Sequence, residues 1–281
     1  MSRLSVDQLP WPEDRFRVDL LDPEFETEAF CILEDSKRAR LARKSGSEHG
    51  GDWGQRVVEL AERIDPAVSP HTPRTLASSR AFRHRRITFT GALLRATDSD
   101  RTGRIVRADI VKPSQACDLD ELVDQQTRLL KNELRQDLLR AGAANSKNGF
   151  LAAVLHSEFD PIAQLFQHHW HLEATGDYVC AIEGLRSAGQ YQPTDRVRNP
   201  VRVRHNLTNL PHALSYMLKG YWPARPMLPL GSNGSLKRPR EHQRIKEPYH
   251  SQVLMWFDHQ VLSDLTLLMG AEVLKSGIEL K

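Results

Sequence analysis

Long apolar runs are missing from this 281-residue chain. No stretch approaches the roughly 18 to 20 apolar residues of a membrane span, and the opening MSRLSVDQLPWPEDRF lacks the apolar core of a signal peptide. A cytoplasmic location is the resulting expectation. Cysteine is scarce as well. Cys31, Cys117 and Cys180 are odd in number and far apart, which excludes a disulfide framework and a CxxC metal pair. Any metal must therefore be held by histidine and carboxylate. Also absent are a glycine-rich phosphate loop and an internal repeat, and the net charge is only +3.

The positive charge is nevertheless clustered. KRARLARK at 37–44, RAFRHRR at 80–86, RVRNPVRVRH at 196–205 and KRPREHQRIK at 237–246 are basic blocks. Such blocks suit a polyanion, and the planar fork of arginine suits phosphate because it donates two hydrogen bonds at once.

The first 84 residues read as an extension rich in turn formers, with one short amphipathic helix, WGQRVVELAERI. From 85 the pattern tightens. RRITFTGALLRA is β-branched and aromatic, TDSDRTG reads as a turn and RIVRADIVK alternates, so a hairpin over 86–112 is expected. A helix follows, capped by Asp118 with Glu121 three residues on and closed by Gly142. GFLAAVLHSEFD and HHWHLEATG read as strands, DYVCAIEGLRSAG as a helix and NPVRVRHNLT as a short strand. NLPHALSYMLKGYW reads as a helix with Asn209 at its N-cap and Pro211 in the first turn. The Pro- and Gly-rich, basic stretch beyond it reads as a linker, and SQVLMWFDHQVLSDLTLLMG, 251–270, as a final helix. The expected organisation is an N-terminal extension (1–84), a central α+β domain with an antiparallel sheet (85–223), and a basic linker with a C-terminal helix (224–281).

Within HHWHLEATG, alternation puts His169 and His171 on one face of the strand and His168 and Trp170 on the other. Trp170 would then enter the core, and the two imidazoles could share a divalent ion. With 12 histidines present, a His-x-His arises by chance about half the time. The preceding strand adds weight, because Val154, His156 and Glu158 share a face. If the two strands pair, either His156 or Glu158 could complete the ligand set and leave positions open for substrate oxygen.

A second constellation is HALSYMLKGYW, in which Tyr216 and Lys219 lie three apart on the expected helix. A phenol is a poor nucleophile near neutral pH, since its pKa is about 10. A neighbouring ammonium that stabilises the phenolate, or a metal that polarises a phosphate, would correct this.

Taken in order, ITFTG, HHWH and YMLK resemble the three motifs of the HUH endonuclease superfamily, over about residues 85–222. The superfamily includes rolling-circle replication initiators, conjugative relaxases and some transposases. The resemblance implies a five-stranded antiparallel sheet with flanking helices, the strand 87–91 lying structurally beneath the site. It implies Mg²⁺ or Mn²⁺ on His169 and His171, with Trp170 as the hydrophobic residue between them. It also implies attack by Tyr216 on single-stranded DNA, giving a 5′-phosphotyrosine and a free 3′-OH, with Lys219 orienting phosphate or stabilising charge. Tyr221 falls off the face of Tyr216, so a single nucleophile is expected. The function so implied is a plasmid-type initiator nicking origin DNA. With no Walker loop, unwinding would fall to a host helicase and extension to a host polymerase. A mobilisation relaxase or a transposase shares the local chemistry. A non-catalytic DNA-binding regulator would need only the basic blocks.

Overall fold

The computed structural model describes residues 4–9, 24–100, 102, 105–205, 207, 209–230, 235–237 and 243–281, with backbone only at 229, 230 and 235–237. Residues 238–242 of the basic block at 237–246 lie outside these residues. Among the described residues no helix is long and apolar enough to cross a membrane.

The elements, in chain order, begin with three helices: α1 Glu28–His49, α2 Gly51–Ile64 and α3 Ser79–Ser99. Strands β1 Val106–Ile110 and β2 Ala116–Cys117 follow, then helices α4 Leu119–Asp124 and α5 Thr127–Arg140. Next come β3 Leu151–Asp160, β4 Leu165–Ala174, α6 Asp177–Gly184, β5 Val201–Arg204 and α7 Leu210–Met217. The remainder is β6 Pro223–Ala224, β7 Leu228–Leu230, β8 Ser235–Lys237, β9 Gln243–Arg244, α8 Tyr249–Asp258, α9 Leu262–Leu265, β10 Thr266–Met269, β11 Ala271–Leu274 and β12 Gly277–Leu280.

The result is a mixed α/β molecule around an eight-stranded, mostly antiparallel sheet. The main path runs β5-β1-β4-β3-β6-β9, with β10 also on β3 and β2 also on β4. At its centre is the β3–β4 hairpin, in register from Leu151 opposite Ala174 to Asp160 opposite Leu165. Both strands are buried almost throughout. One buried apolar cluster draws on all three sequence segments, from Ala39 and Leu60 through Trp170 to Ile278.

Several expectations need correction. The run ITFTG is not a strand. It sits inside α3, whose first turn is capped by Ser78 accepting from Ala81 N–H. Every residue from Arg86 to Leu94 is buried, so burial on all sides overrides the β preference of Ile87, Thr88 and Thr90. The first of the three motifs therefore does not occupy the strand that the resemblance requires, and the expected hairpin at 86–112 reduces to β1.

The N-terminal segment holds more helix than the one short amphipathic stretch expected, for α1 and α2 span most of 28–64. SGSEHGGDWG closes α1 and opens α2, the chain reversing at Gly50 and Gly51 with φ of 62° and 61°. Gly46 and Gly54 let the two helix backbones touch. A Cβ on Gly46 would fall 2.6 Å from the Gly54 carbonyl oxygen.

Further on, the single helix expected from Asp118 is two, broken at Gln125 and Gln126, although the capping box of Asp118 and Glu121 is present. The linker contributes β6 to β9. The final helix stops at Asp258, and most of its apolar tail becomes α9 and β10.

Candidate metal and tyrosine site

Alternation along β4 sorts its side chains as expected. Phe166, His168, Trp170 and Leu172 occupy one face and are buried. His168 bonds Gln125 and lies 3.3 Å from Cys117 Sγ, with the Trp222 indole edge-on to it. Burial lowers the His168 pKa to about 3 and raises that of Cys117 to about 12. These shifts are opposite to those of a reactive thiolate–imidazolium pair, so this contact is structural.

The other face of β4 carries His169, His171 and Glu173, and the registers decide what joins them. His156 of β3 stands opposite His169, and Asp109 of β1 stands opposite His171. Ligand atoms of His156, His169 and His171 all lie within 4.8 Å of one another. Glu158, two residues from His156, is instead paired to Arg225 at 2.7 Å. The open choice between His156 and Glu158 thus falls to His156 in this geometry. The imidazoles are 2%, 8% and 4% exposed, so the site is enclosed rather than spread over an open sheet face.

Asp109 Oδ1 accepts the Nδ1–H of His171 at 2.7 Å. This leaves His171 Nε2 unprotonated, and that atom is buried without a hydrogen-bond partner. Burial alone would raise the Asp109 pKa, but the His171 bond and the charges of His171 and Arg107 hold it below the usual carboxylate range. For His171 burial dominates, lowering its pKa to about 3 against the opposing pull of Asp109. His156 and His169 are lowered too, chiefly by burial. Three neutral imidazoles, one with an orphaned nitrogen, fit a divalent transition ion. Nitrogen donors suit Mn²⁺ or Zn²⁺ better than the hard, oxygen-seeking Mg²⁺.

Tyr216, in the last turn of α7, places its ring edge-on to His171 with centroids 5.3 Å apart. Asn209 caps α7 as expected, its side chain accepting from His212 N–H. Lys219, however, lies beyond the helix end rather than on its face. It still meets the tyrosine, its Nζ 3.7 Å from the ring centroid, and the Arg107 guanidinium lies 3.8 Å from the same centroid. Burial lowers the Lys219 pKa, opposed by its hydrogen bond to Tyr216.

The backbone N–H of Lys219 donates to His156 Nε2 at 3.1 Å. A neutral imidazole has one acceptor nitrogen, so His156 cannot accept this bond and coordinate an ion together. Cation binding and the seating of the Tyr216–Lys219 segment are therefore coupled.

Arg107 and Asp109 escaped the sequence reading. The alternation of RIVRADIVK does place both on one face of β1, opposite Glu173 and His171. Two charged residues on the same face of a central strand were the available signal.

No protein-family model matches the chain, and no curated protein or solved structure matches it.

Proposed function

We propose that this chain is a metal-dependent endonuclease and strand transferase acting on single-stranded DNA through Tyr216. The observation that supports it most is convergence. Imidazoles from β3 and β4 and a phenol from α7 meet in one enclosed site, with two cations against the phenol ring.

In this reading Tyr216 Oη attacks a backbone phosphorus. The Oη–P bond forms and the P–O3′ bond breaks, leaving a 5′-phosphotyrosine and a free 3′-OH that carries the proton lost by the phenol. Lys219 and Arg107 favour the step because a phenolate ring is more electron-rich than a phenol and holds a cation more tightly, each contact contributing about 0.5–2 kcal/mol. Lys219 also meets the phosphate as a point charge. His156, His169 and His171 would hold the cation, Mn²⁺ in preference to Mg²⁺, with Asp109 fixing the His171 tautomer. When bound, that ion would polarise the non-bridging phosphate oxygens. The free 3′-OH can later attack the phosphotyrosine, so rejoining is the reverse reaction. Initiation of rolling-circle replication in the cytoplasm is the setting the motif resemblance suggests, with helicase and polymerase supplied by the host. A mobilisation relaxase or transposase would use the same groups.

The test is incubation with end-labelled single-stranded oligonucleotides and Mn²⁺, followed by denaturing electrophoresis. An SDS-stable adduct should form, map to the Tyr216 peptide, and vanish in Tyr216→Phe and in chelator. Strand binding with no adduct on any sequence would leave a DNA-binding regulator and sink the catalytic reading.

A further inference from the structure

A cavity of about 290 Å³ lies between α1, the start of α3 and the segment after Lys219. It is separate from the imidazole site, for none of His156, His169, His171, Tyr216 or Lys219 lines it. Two of its aromatic walls are half-open to solvent, Phe30 at 52% exposure and Tyr221 at 47%, while Phe82 and Trp222 are buried.

Between these rings the wall is charged. Arg38, Arg83, Arg86 and Arg244 face Glu26 and Glu34, four cations against two anions. Glu34 is taken by Arg38 at 3.1 Å and Arg244 at 2.8 Å, and Glu26 by Arg86. After these pairings the Nε–H donors of Arg86 and Arg244 remain buried with no hydrogen-bond partner. An apolar occupant would bury this excess of positive charge without compensation. A small inorganic anion would make no use of the rings. An occupant with a flat aromatic face, acceptor oxygens and negative charge answers all three features, and the volume is at the small end of ligand pockets, roughly 300–1,000 Å³.

We infer that this cavity binds one nucleotide, its base stacking on the Phe30 and Tyr221 rings and its anionic oxygens meeting the surplus guanidinium charge of the wall, to which Arg83 and Arg244 contribute part-exposed side chains. A free mononucleotide and one nucleotide of a strand offer the same chemistry. Tyr221 lies two residues beyond Lys219, so a strand passing Tyr216 would set a neighbouring nucleotide here. That strand-bound form rests on the proposed nicking function; the recognition chemistry does not. The α1 part of the wall lies outside residues 85–222, which carry the motif resemblance.

The experiment uses the full chain in excess EDTA, so that binding is read without any cation. Fluorescence anisotropy of a labelled thymidine octanucleotide gives the dissociation constant, and the four deoxynucleoside monophosphates are added as competitors. Removing a stacked base contact should weaken octanucleotide binding about tenfold or more in Phe30→Ala and in Tyr221→Ala, while Tyr221→Phe keeps the ring and restores binding. Competition by a monophosphate identifies a free-nucleotide pocket; loss of octanucleotide binding without such competition identifies a strand subsite. Both alanine variants remove half-exposed rings, and unchanged melting curves establish that they fold. Octanucleotide affinity unchanged in both, with no monophosphate competition, overturns the inference. Variants that bind poorly in a protein forming no Tyr216 adduct would keep the pocket and reject the nicking function. Adduct formation with unaltered affinity would do the reverse.

Discussion

Asp109 offers the sharpest test of the proposed metal site, because it is not one of the three candidate ligands and acts chiefly through His171. Its carboxylate accepts the His171 Nδ1–H at 2.7 Å, which holds Nε2 deprotonated and turned toward the other two imidazoles. Outer partners of this kind are worth about 10- to 100-fold in metal affinity, or about 1.4–2.7 kcal/mol. The two obvious substitutions divide that range. Asp109→Asn keeps an oxygen that can accept from Nδ1 and removes only the charge, so the loss should be about tenfold. Asp109→Ala removes both and should approach 100-fold. A second effect has the same sign, since Arg107 and Arg204 each lie 3.6 Å from Asp109 and lose their counter-charge with it. The assay is titration of Mn²⁺ into metal-free protein at pH 7.5 by calorimetry. Glu158→Gln is the control and should stay within about threefold, because Glu158 is occupied by Arg225. An Asp109→Ala protein that binds Mn²⁺ within threefold of wild type would refute the tautomer argument. A collapse of affinity in Glu158→Gln would move the third ligand to Glu158.

Other consequences are equally open to measurement. Because Lys219 N–H is bound by His156 Nε2, adding Mn²⁺ should speed hydrogen exchange at the 217–220 amides; unchanged exchange on saturation would break the proposed coupling. His168 and His171 have folded pKa values near 3 against about 6.5 when unfolded, so the unfolded chain binds more protons between those values and stability is lost as pH falls below about 6.5. Urea denaturation in EDTA should therefore show about 2 kcal/mol less stability at pH 5.5 than at pH 7, and less of a drop in His168→Gln; a flat profile would mean that the imidazoles are not held neutral by burial. Gly46→Ala should cost about 1–3 kcal/mol, since the new Cβ would lie 2.6 Å from the Gly54 carbonyl oxygen; a denaturation midpoint equal to wild type would show that the α1–α2 contact can relax.

What could be read from the sequence was what local rules govern. Alternation sorts β4 because a strand with two differently furnished faces has only one acceptable side for Trp170. The caps at Asp118 and Asn209 were legible because a side-chain acceptor three residues before a free N–H is a local device. The failures share another cause. ITFTG is β-branched, yet α3 is packed on every side, so burial rather than propensity set its conformation. TLLM joined β10 because it pairs with Ala152 and its neighbours more than a hundred residues away, which no local window contains. The third histidine was legible only as one of two, because His156 and Glu158 share a face. The β3–β4 register, closed by residues 161–164, then chose between them.

Charge explains why these groups belong together. The three imidazoles are neutral, so a divalent ion among them would bring two positive charges close to Lys219 and Arg107, with Asp109 and the Arg225-bound Glu158 in partial compensation. In an enclosed site such an excess is costly, since Coulomb energies grow as the effective dielectric falls. A neutral substrate would leave it uncompensated. A phosphodiester brings one negative charge per unit, and its transition state concentrates that charge on oxygens within reach of the cation and the ammonium. The same excess disfavours a cationic ligand, and in the proposed reaction the two positive groups against the Tyr216 ring would favour its hydroxyl as it became anionic. With an ion in place the arrangement would be electrostatically strained, and a polyanion would balance it, which is the electrostatic support for the proposed substrate class.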